Sequence, residues 1–204
     1  MSRLLPALML STALLAAPAI ATVPPPATGQ QAHSGLPFAQ PRPGLYTAGQ
    51  PSAGALAQAA AAGITTVIDL RAADEDRGYD QAAAAAGLGL RYINLPIAGG
   101  QAVTVEAARQ LHALLADSEG PVLLHCASGN RAGALLALAA AHVDGADPDS
   151  ALALGQAAGL TSLAQRVQTL LPPVADGDTA HAPAAEADQP RRAHWPACAR
   201  TTSP

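Results

Sequence analysis

The chain has 204 residues, a net charge of −4 at pH 7 and a pI near 5.8. An acidic chain without a basic stripe argues against a nucleic-acid-binding protein. Aromatic residues make up only 2% of the sequence, so the core must consist of Leu, Val, Ile and Ala. Once a leader and a tail are set aside, the remainder suffices for one domain of ordinary size.

The first 21 residues have the pattern of a secretory signal peptide. Arg3 supplies the positive start, residues 4–15 form an apolar stretch, and residues 19–21 form a small-residue cleavage site. The apolar stretch is short for a membrane span, and Pro6 interrupts it. We therefore expect cleavage after Ala21, a periplasmic or secreted protein, and no stable membrane span in the mature chain.

Composition divides the rest of the chain into three parts. Residues 22–42 are rich in Pro, Gln, Ala and Gly and are predicted to be a linker. Residues 43–171 are predicted to form the folded domain, and the Pro- and Ala-rich residues 172–204 a disordered tail. Two cysteines are too few for a disulfide framework, although Cys126 and Cys198 could pair in an oxidising compartment.

Strand and helix patterns alternate along the domain. Strands are predicted within residues 44–51, 64–70, 90–95 and 121–125. Helices are predicted after the caps Ser52, Thr104 and Asp147, over residues 79–86 and 132–143, and from Thr161 to about Leu171. This alternation predicts an α/β fold of three layers, with a mostly parallel central sheet of four to five strands and helices on both faces. Ligands bind such sheets at the carboxyl ends of the strands.

One stretch of the sequence has the pattern of an anion-binding loop. An apolar strand ends at His125, Cys126 follows, and a helical pattern begins just after Arg131. A loop that enters a helix directs unpaired N–H groups and the positive end of the helix dipole at one point, where they stabilise an oxyanion or a thiolate. Cys126 is therefore predicted to be a nucleophile, and Arg131 to bind two oxygens of a tetrahedral anion. If Cys126 were only a core residue, Ser128, Gly129 and Asn130 would have no explanation.

The sequence His125-Cys126-Ala127-Ser128-Gly129-Asn130-Arg131-Ala132-Gly133, with Thr47–Pro51 and Gly63–Arg71, resembles bacterial protein-tyrosine/dual-specificity phosphatase-like domains grouped with the beta-lactamase-hydrolase-like family. The resemblance covers about residues 42–165. It implies a cysteine phosphatase fold and a phosphocysteine intermediate, with Cys126 attacking phosphorus and His125 orienting the loop. The implied substrate is a phosphorylated small molecule or peptide, and neither a cofactor nor a metal is implied. The implied phosphate-binding residues are Ala127, Ser128, Gly129, Asn130 and Arg131.

The chain departs from the usual tyrosine phosphatase pattern at the loop. Four residues separate Cys126 from Arg131 instead of five, and Ala132 stands where the pattern has Ser or Thr. Four residues is the spacing of rhodanese-type sulfurtransferases. A sulfurtransferase that carries a persulfide on Cys126 therefore remains an alternative, as does a phosphate- or anion-binding module without catalysis.

The expected acidic proton donor is also missing from residues 96–103. Asp74, Glu75 and Asp76 are the candidates for the general acid, because their loop leaves a neighbouring strand at the same end of the sheet. The alternative is that these three residues form a solvated charged turn.

Overall fold

The computed structural model describes residues 35–173. The predicted signal peptide, the predicted linker up to residue 34 and the predicted tail from residue 174 lie outside the described residues. No helix within residues 35–173 combines the length and the apolar sequence needed to cross a bilayer. The strands are β1 (Ala39–Arg42), β2 (Leu45–Ala48), β3 (Thr66–Asp69), β4 (Arg91–Asn94) and β5 (Val122–His125). The helices are α1 (Ala53–Ala61), α2 (Gln81–Gly87), α3 (Val105–Ala116), α4 (Asn130–His142), α5 (Pro148–Ala157) and α6 (Ala164–Leu170), with a 3₁₀ helix at Gly100–Ala102.

The strands form one sheet in the order β1-β2-β5-β3-β4. Strands β2, β5, β3 and β4 run parallel, and β1 pairs antiparallel with β2. The central strands β3 and β5 are buried at every position, as their nearly continuous apolar sequences predict. This sheet confirms the predicted α/β fold and places the ends of β3 and β5 side by side.

Alternate residues of the two central strands face two hydrophobic clusters. Val67 and Leu123 lie in a cluster with residues of α1 and α2. Ile68 and Leu124 lie in a larger cluster with residues of α3 and α4. Helix α4 is buried along most of its length, which explains why its sequence is almost entirely Ala and Leu. The sheet therefore has helices on both faces.

Strand β1 corrects the boundary of the predicted linker. Residues Ala39–Arg42 are a strand, whereas the composition assigned residues 22–42 to a linker. Pro41 obscured the strand pattern, yet proline is tolerated at the edge of a sheet, where a missing N–H need not break the ladder. Phe38 also packs against the cluster of α1 and α2. The folded domain therefore begins before residue 43.

The predicted helix caps are confirmed, but the last helix begins later than predicted. Ser52, Thr104 and Asp147 each accept a backbone N–H at the start of a helix. The pattern placed the last helix from Thr161, whereas α6 begins at Ala164. Residues 161–163 are instead bound by the side chain of Asn130 in α4, so the helix begins only after them.

We expect Gly133→Ala to lower the free energy of unfolding by at least about 2 kcal/mol, because α4 and α5 cross at this glycine. A Cβ there would collide with the backbone N of Leu160 and lie 2.5 Å from the carbonyl O of Gly155. Urea denaturation measures the change. Gly54→Ala is the matched control, since the exposed Gly54 of α1 meets only Ser52 Oγ at 4.0 Å. It should raise stability by roughly 0.5–1 kcal/mol, and an equal loss in both variants would contradict the packing argument.

Candidate active site

Cys126 directly follows β5, at the carboxyl end of the parallel sheet, and α4 begins at Asn130. Gly129 is the N-cap of α4, with a φ of +87° that glycine adopts without steric cost. Its backbone N–H donates a hydrogen bond to Cys126 Sγ at 3.1 Å. The Cys126 side chain is a buried free thiol. The predicted order of strand, loop and helix is therefore present, and one amide already points at the sulfur.

A second segment holds this loop in place. The N–H of Gln50 donates to the carbonyl O of Ala127 at 3.1 Å, and Gly49 pairs with Ser128 through an isolated β-bridge. A Cβ on Gly49 would lie 3.0 Å from the carbonyl O of Ala127, so the two backbones approach too closely for most side chains. This contact gives the Thr47–Pro51 motif a physical role as a support for the loop.

The Arg131 side chain is fixed along one edge of its guanidinium. Nη1 donates to Glu75 Oε1 and to the carbonyl O of Ile97, both at 2.6 Å, and Nη2 donates to Glu75 Oε2 at 2.6 Å. These bonds use three of the five N–H groups of a guanidinium, and the other two belong to Nε and Nη2 on the opposite edge. The hydrogen bond to Glu75 raises the pKa of Arg131, against the opposing effect of burial. Arg131 is therefore a permanent cation beside the sulfur.

Glu75 is the acidic residue that the structure brings to Arg131. Its Oε1 also accepts the N–H of Ala72 at 2.8 Å, which fixes the carboxylate within its own loop. The hydrogen bond from Arg131 lowers the pKa of Glu75, against the opposing effect of burial. Glu75 is thus ionised at neutral pH and serves as a partner for Arg131, which makes it a poor proton donor in this arrangement.

A cavity of about 480 Å³ opens beside Arg131. Asp74 is exposed and lines the cavity, whereas the Asp76 side chain accepts the N–H of Gly78 at 2.7 Å within its own turn. Of the three predicted acid candidates, Asp74 is therefore the one that faces the cavity without being bound to Arg131. The lining residues are Ala72, Asp74, Glu75, Ala98, Gly99, Gly100, Ser128, Asn130, Arg131, Ser162 and Leu163.

Asn130 was predicted to bind an anion, but its side chain is used elsewhere. Its Oδ1 accepts the N–H of Thr161 at 2.8 Å and that of Leu163 at 3.3 Å, and its Nδ2 donates to Ser162 Oγ at 2.6 Å. These bonds carry Ser162 and Leu163 to the cavity and explain why α6 begins late. The backbone N–H of Asn130, in the first turn of α4, stays a predicted anion-binding group.

His125 is fully buried behind the loop. Its Nδ1 lies 3.3 Å from the carbonyl O of Cys126, and its Nε2 lies 2.8 Å from Nε2 of Gln81. Burial lowers the pKa of His125 to about 4, so the imidazole is neutral at neutral pH. This position fits the predicted role in orienting the loop. The sequence did not indicate Gln81, which reads as an ordinary polar residue at the start of α2.

Comparisons with known proteins agree with this geometry. Residues 27–167, more than half of the chain, match the family described as "DSP-PTPase phosphatase fused to NAD+ Kinase". No curated protein gives a significant match. At this level of identity, the similarity to the following solved structures shows the fold alone. A candidate phosphatase of Neisseria meningitidis has a TM-score of 0.57 and 22% identity, and the match covers 65% of this chain and 97% of that one. A candidate phosphatase of Shewanella putrefaciens has a TM-score of 0.50 and 19% identity, with 66% and 90% of the two chains covered. Human DUSP28 has a TM-score of 0.50 and 18% identity, with 65% and 92% covered.

The fold places Cys126 in a loop at the carboxyl end of the parallel strands and Arg131 in the first turn of α4, and Gln50 holds this loop through the Ala127 carbonyl. The family model spans this loop and nearly all of the described domain. The chain belongs to the DSP-PTPase phosphatase family, and it is a protein tyrosine and dual-specificity phosphatase-like hydrolase.

Proposed function

We propose that the protein hydrolyses a phosphomonoester through a phosphocysteine intermediate on Cys126. The Sγ thiolate attacks phosphorus, an S–P bond forms as the P–O bond to the alcohol breaks, and the leaving oxygen takes a proton from a general acid. Water then attacks the same phosphorus and gives a proton to the deprotonated general acid, and the S–P bond breaks to release inorganic phosphate and return the thiolate. Neither step requires a metal or a redox partner.

The arrangement of Arg131 is the observation that carries this proposal. Glu75 and the Ile97 carbonyl bind one edge of the guanidinium, which leaves the Nε and Nη2 edge for two oxygens. The N–H of Gly129 donates to the sulfur at 3.1 Å, in the position that favours a thiolate. A phosphoryl group is tetrahedral and anionic. Its phosphorus can therefore face the sulfur of Cys126 while its oxygens bind Arg131 and the first-turn amides of α4.

A paired assay on the full chain tests this function. One arm measures phosphate release from p-nitrophenyl phosphate, and the other measures thiocyanate formation from thiosulfate and cyanide. We expect phosphate release that is lost in Cys126→Ser and kept in Cys198→Ser, and no thiocyanate. Thiocyanate formation would instead support a sulfurtransferase, and vanadate binding with neither product would support a binding module.

We further propose that Asp74 donates the proton to the leaving alcohol. Asp74→Asn should lower kcat on an alkyl phosphate about 10²-fold, because an alkoxide leaves poorly without a proton. The loss on p-nitrophenyl phosphate, whose leaving group needs little protonation, should be less than about tenfold. Asp76→Asn is the matched control from the same loop, and it should keep kcat within about twofold. Equal losses on both esters, or in both variants, would exclude Asp74 as the acid.

The walls of the cavity support an aliphatic phosphomonoester rather than phosphotyrosine. Phe38, Tyr46 and Tyr92 pack on the α1 and α2 side of the sheet, and Tyr79 donates its hydroxyl to the Pro51 carbonyl. None of these aromatic residues of the described domain lines the cavity, so no ring is there to stack on a phenyl group. Binding of phosphotyrosine and phosphoserine to Cys126→Ser tests this without chemistry. Preference for phosphotyrosine by tenfold or more would contradict the proposal.

We also propose that the protein is exported and cleaved after Ala21, because residues 1–21 carry the three parts of a signal peptide. Intact mass measurement of the protein from a periplasmic or culture fraction should give a chain that begins at Thr22. Recovery of the full 204-residue chain from the cytoplasm would contradict export.

A further inference from the structure

The orientation of the Gln81 amide is fixed by its neighbour Arg71. Gln81 Oε1 accepts a hydrogen bond from Arg71 Nη2 at 2.6 Å. Arg71 has only donors, and Asp69 holds its Nε and Nη2 at 3.0 and 3.1 Å. The oxygen of the amide must therefore face Arg71. The amide nitrogen then faces His125 Nε2, and it can only donate across that 2.8 Å contact.

This donor fixes the proton on His125. Because Gln81 donates to Nε2, that ring nitrogen must accept, and the proton of a neutral imidazole lies on Nδ1. Nδ1–H then donates to the carbonyl O of Cys126 at 3.3 Å. We propose that Gln81 is a positioning residue, which holds His125 as the neutral Nδ1–H tautomer and thereby keeps the imidazole bound to the Cys126 carbonyl. Its relevance to catalysis rests on the proposed function of Cys126.

The groups around His125 make a second proton unfavourable. Within residues 35–173, Asp69 on β3 is the carboxylate that acts on the ring, with Oδ1 3.9 Å from Nδ1. Arg71 and Arg77, both bound to Asp69, act in the opposite direction. Cys126 contributes its carbonyl from the loop, and Gln81 on α2 is neutral. Burial, with a smaller contribution from the two guanidiniums, lowers the pKa of His125 to about 4 against the opposing effects of Asp69 and the Cys126 carbonyl.

The consequence is a loop whose support does not titrate near neutral pH. An imidazolium would place an N–H on Nε2 against the N–H of Gln81, so protonation would have to break the contact between them. The hydrogen bond from His125 to the Cys126 carbonyl should thus persist down to about pH 5.

Gln81→Glu is the informative substitution. Its carboxylate can still accept a hydrogen bond from Arg71, but unlike the amide N–H it can also accept one from a protonated Nε2–H of His125, so it should stabilise the imidazolium. Heteronuclear NMR of the full chain reports the tautomer through the two ring nitrogen shifts, and His125→Asn identifies the signals. We expect Nδ1–H in the unsubstituted protein and a titration midpoint at least one pH unit higher in Gln81→Glu. Gln110→Glu, at an exposed site on α3, adds the same charge and should leave the midpoint unchanged.

The same variants separate a positioning role from a packing role. If His125 becomes an imidazolium in Gln81→Glu, the acidic limb of the plot of kcat/KM against pH should shift to higher pH. A packing defect alone would lower kcat/KM by the same factor at every pH. An Nε2–H tautomer in the unsubstituted protein, or an unchanged midpoint in Gln81→Glu, would overturn the proposal. The NMR measurement needs no turnover, so it tests the tautomer of His125 independently of the proposed phosphatase activity. The tautomer is read on the unsubstituted chain, so the test does not depend on folding of the variant.

Discussion

Cys126→Ser is expected to lower kcat on p-nitrophenyl phosphate by at least about 10³-fold, the largest effect on activity in this chain. A serine hydroxyl is a far weaker nucleophile than a thiolate, and the N–H of Gly129, which bonds to Cys126 Sγ, cannot accept its proton. His125, the nearest imidazole, is held through both ring nitrogens by Gln81 and the Cys126 carbonyl. The serine would therefore keep its proton and leave phosphorus unattacked.

Phosphate binding should survive this substitution, since the anion contacts belong to the loop amides and to Arg131. We expect the Kd for vanadate or phosphate to change by less than about threefold, because Glu75 and Ile97 still hold the guanidinium. Cys198→Ser removes the other thiol and is the matched control, with turnover expected within about twofold of the unsubstituted chain. Residual turnover above a few per cent in Cys126→Ser, or loss of anion binding, would contradict the assigned roles.

The loop around Cys126 was predictable because all of its signals lie within one short stretch of sequence. An apolar strand, a glycine that permits a positive φ and an Ala/Leu helix follow one another, so local rules suffice to place Cys126 just before a helix N-terminus. The pattern predicted a strand and a turn at the upstream Thr47–Pro51 motif, but only the resemblance linked this motif to the site. Its physical reason, the close approach of Gly49 to Ala127, depends on the pairing of β2 with β5.

The partner of Arg131 could not be predicted in the same way. Glu75 lies 56 positions away, and three acidic residues stand in a row at positions 74–76. The sequence alone does not show which of the three contacts Arg131, because this depends on the conformation of the loop. The turn of this loop aims Glu75 at Arg131, Asp74 at the cavity and Asp76 at its own backbone. The three acidic residues thus differ only through contacts with distant segments, which the sequence does not show.

The turn itself is held by a buried ionic network centred on Asp69. Its carboxylate accepts hydrogen bonds from Arg71, Arg77 and the Tyr92 hydroxyl. Arg77 in turn donates to the carbonyls of Arg71 and Glu75 within the acidic loop. Burial alone would raise the pKa of Asp69, but the hydrogen bonds from Arg71 outweigh it and hold the pKa well below its usual range. This ion pair therefore orders the loop that presents Glu75 to Arg131.

Asp69→Ala is expected to lower the free energy of unfolding by about 3–5 kcal/mol, because it leaves the fully buried Arg71 without its counter-ion. Urea denaturation at pH 5 measures the change. The folded pKa of Asp69 lies below the unfolded value of about 3.9, so its stabilisation is complete above that value and is lost as the pH falls toward the folded pKa. The difference between Asp69→Ala and the unsubstituted protein should therefore shrink by about 1 kcal/mol at pH 3.

Tyr92→Phe tests the same network in a variant that should fold. It removes one hydrogen bond of 2.8 Å to the carboxylate and keeps both arginines, so we expect a loss of about 1–2 kcal/mol. Because Arg77 and the acidic loop would loosen with Asp69, KM for an aryl phosphate should rise in this variant while the thiol remains reactive. Tyr46→Phe, on the same face of the sheet, is the control and should change neither quantity. If Tyr92→Phe loses the expected stability but keeps its KM, the network around Asp69 does not affect the active site. The role assigned to Asp69 would then be structural alone.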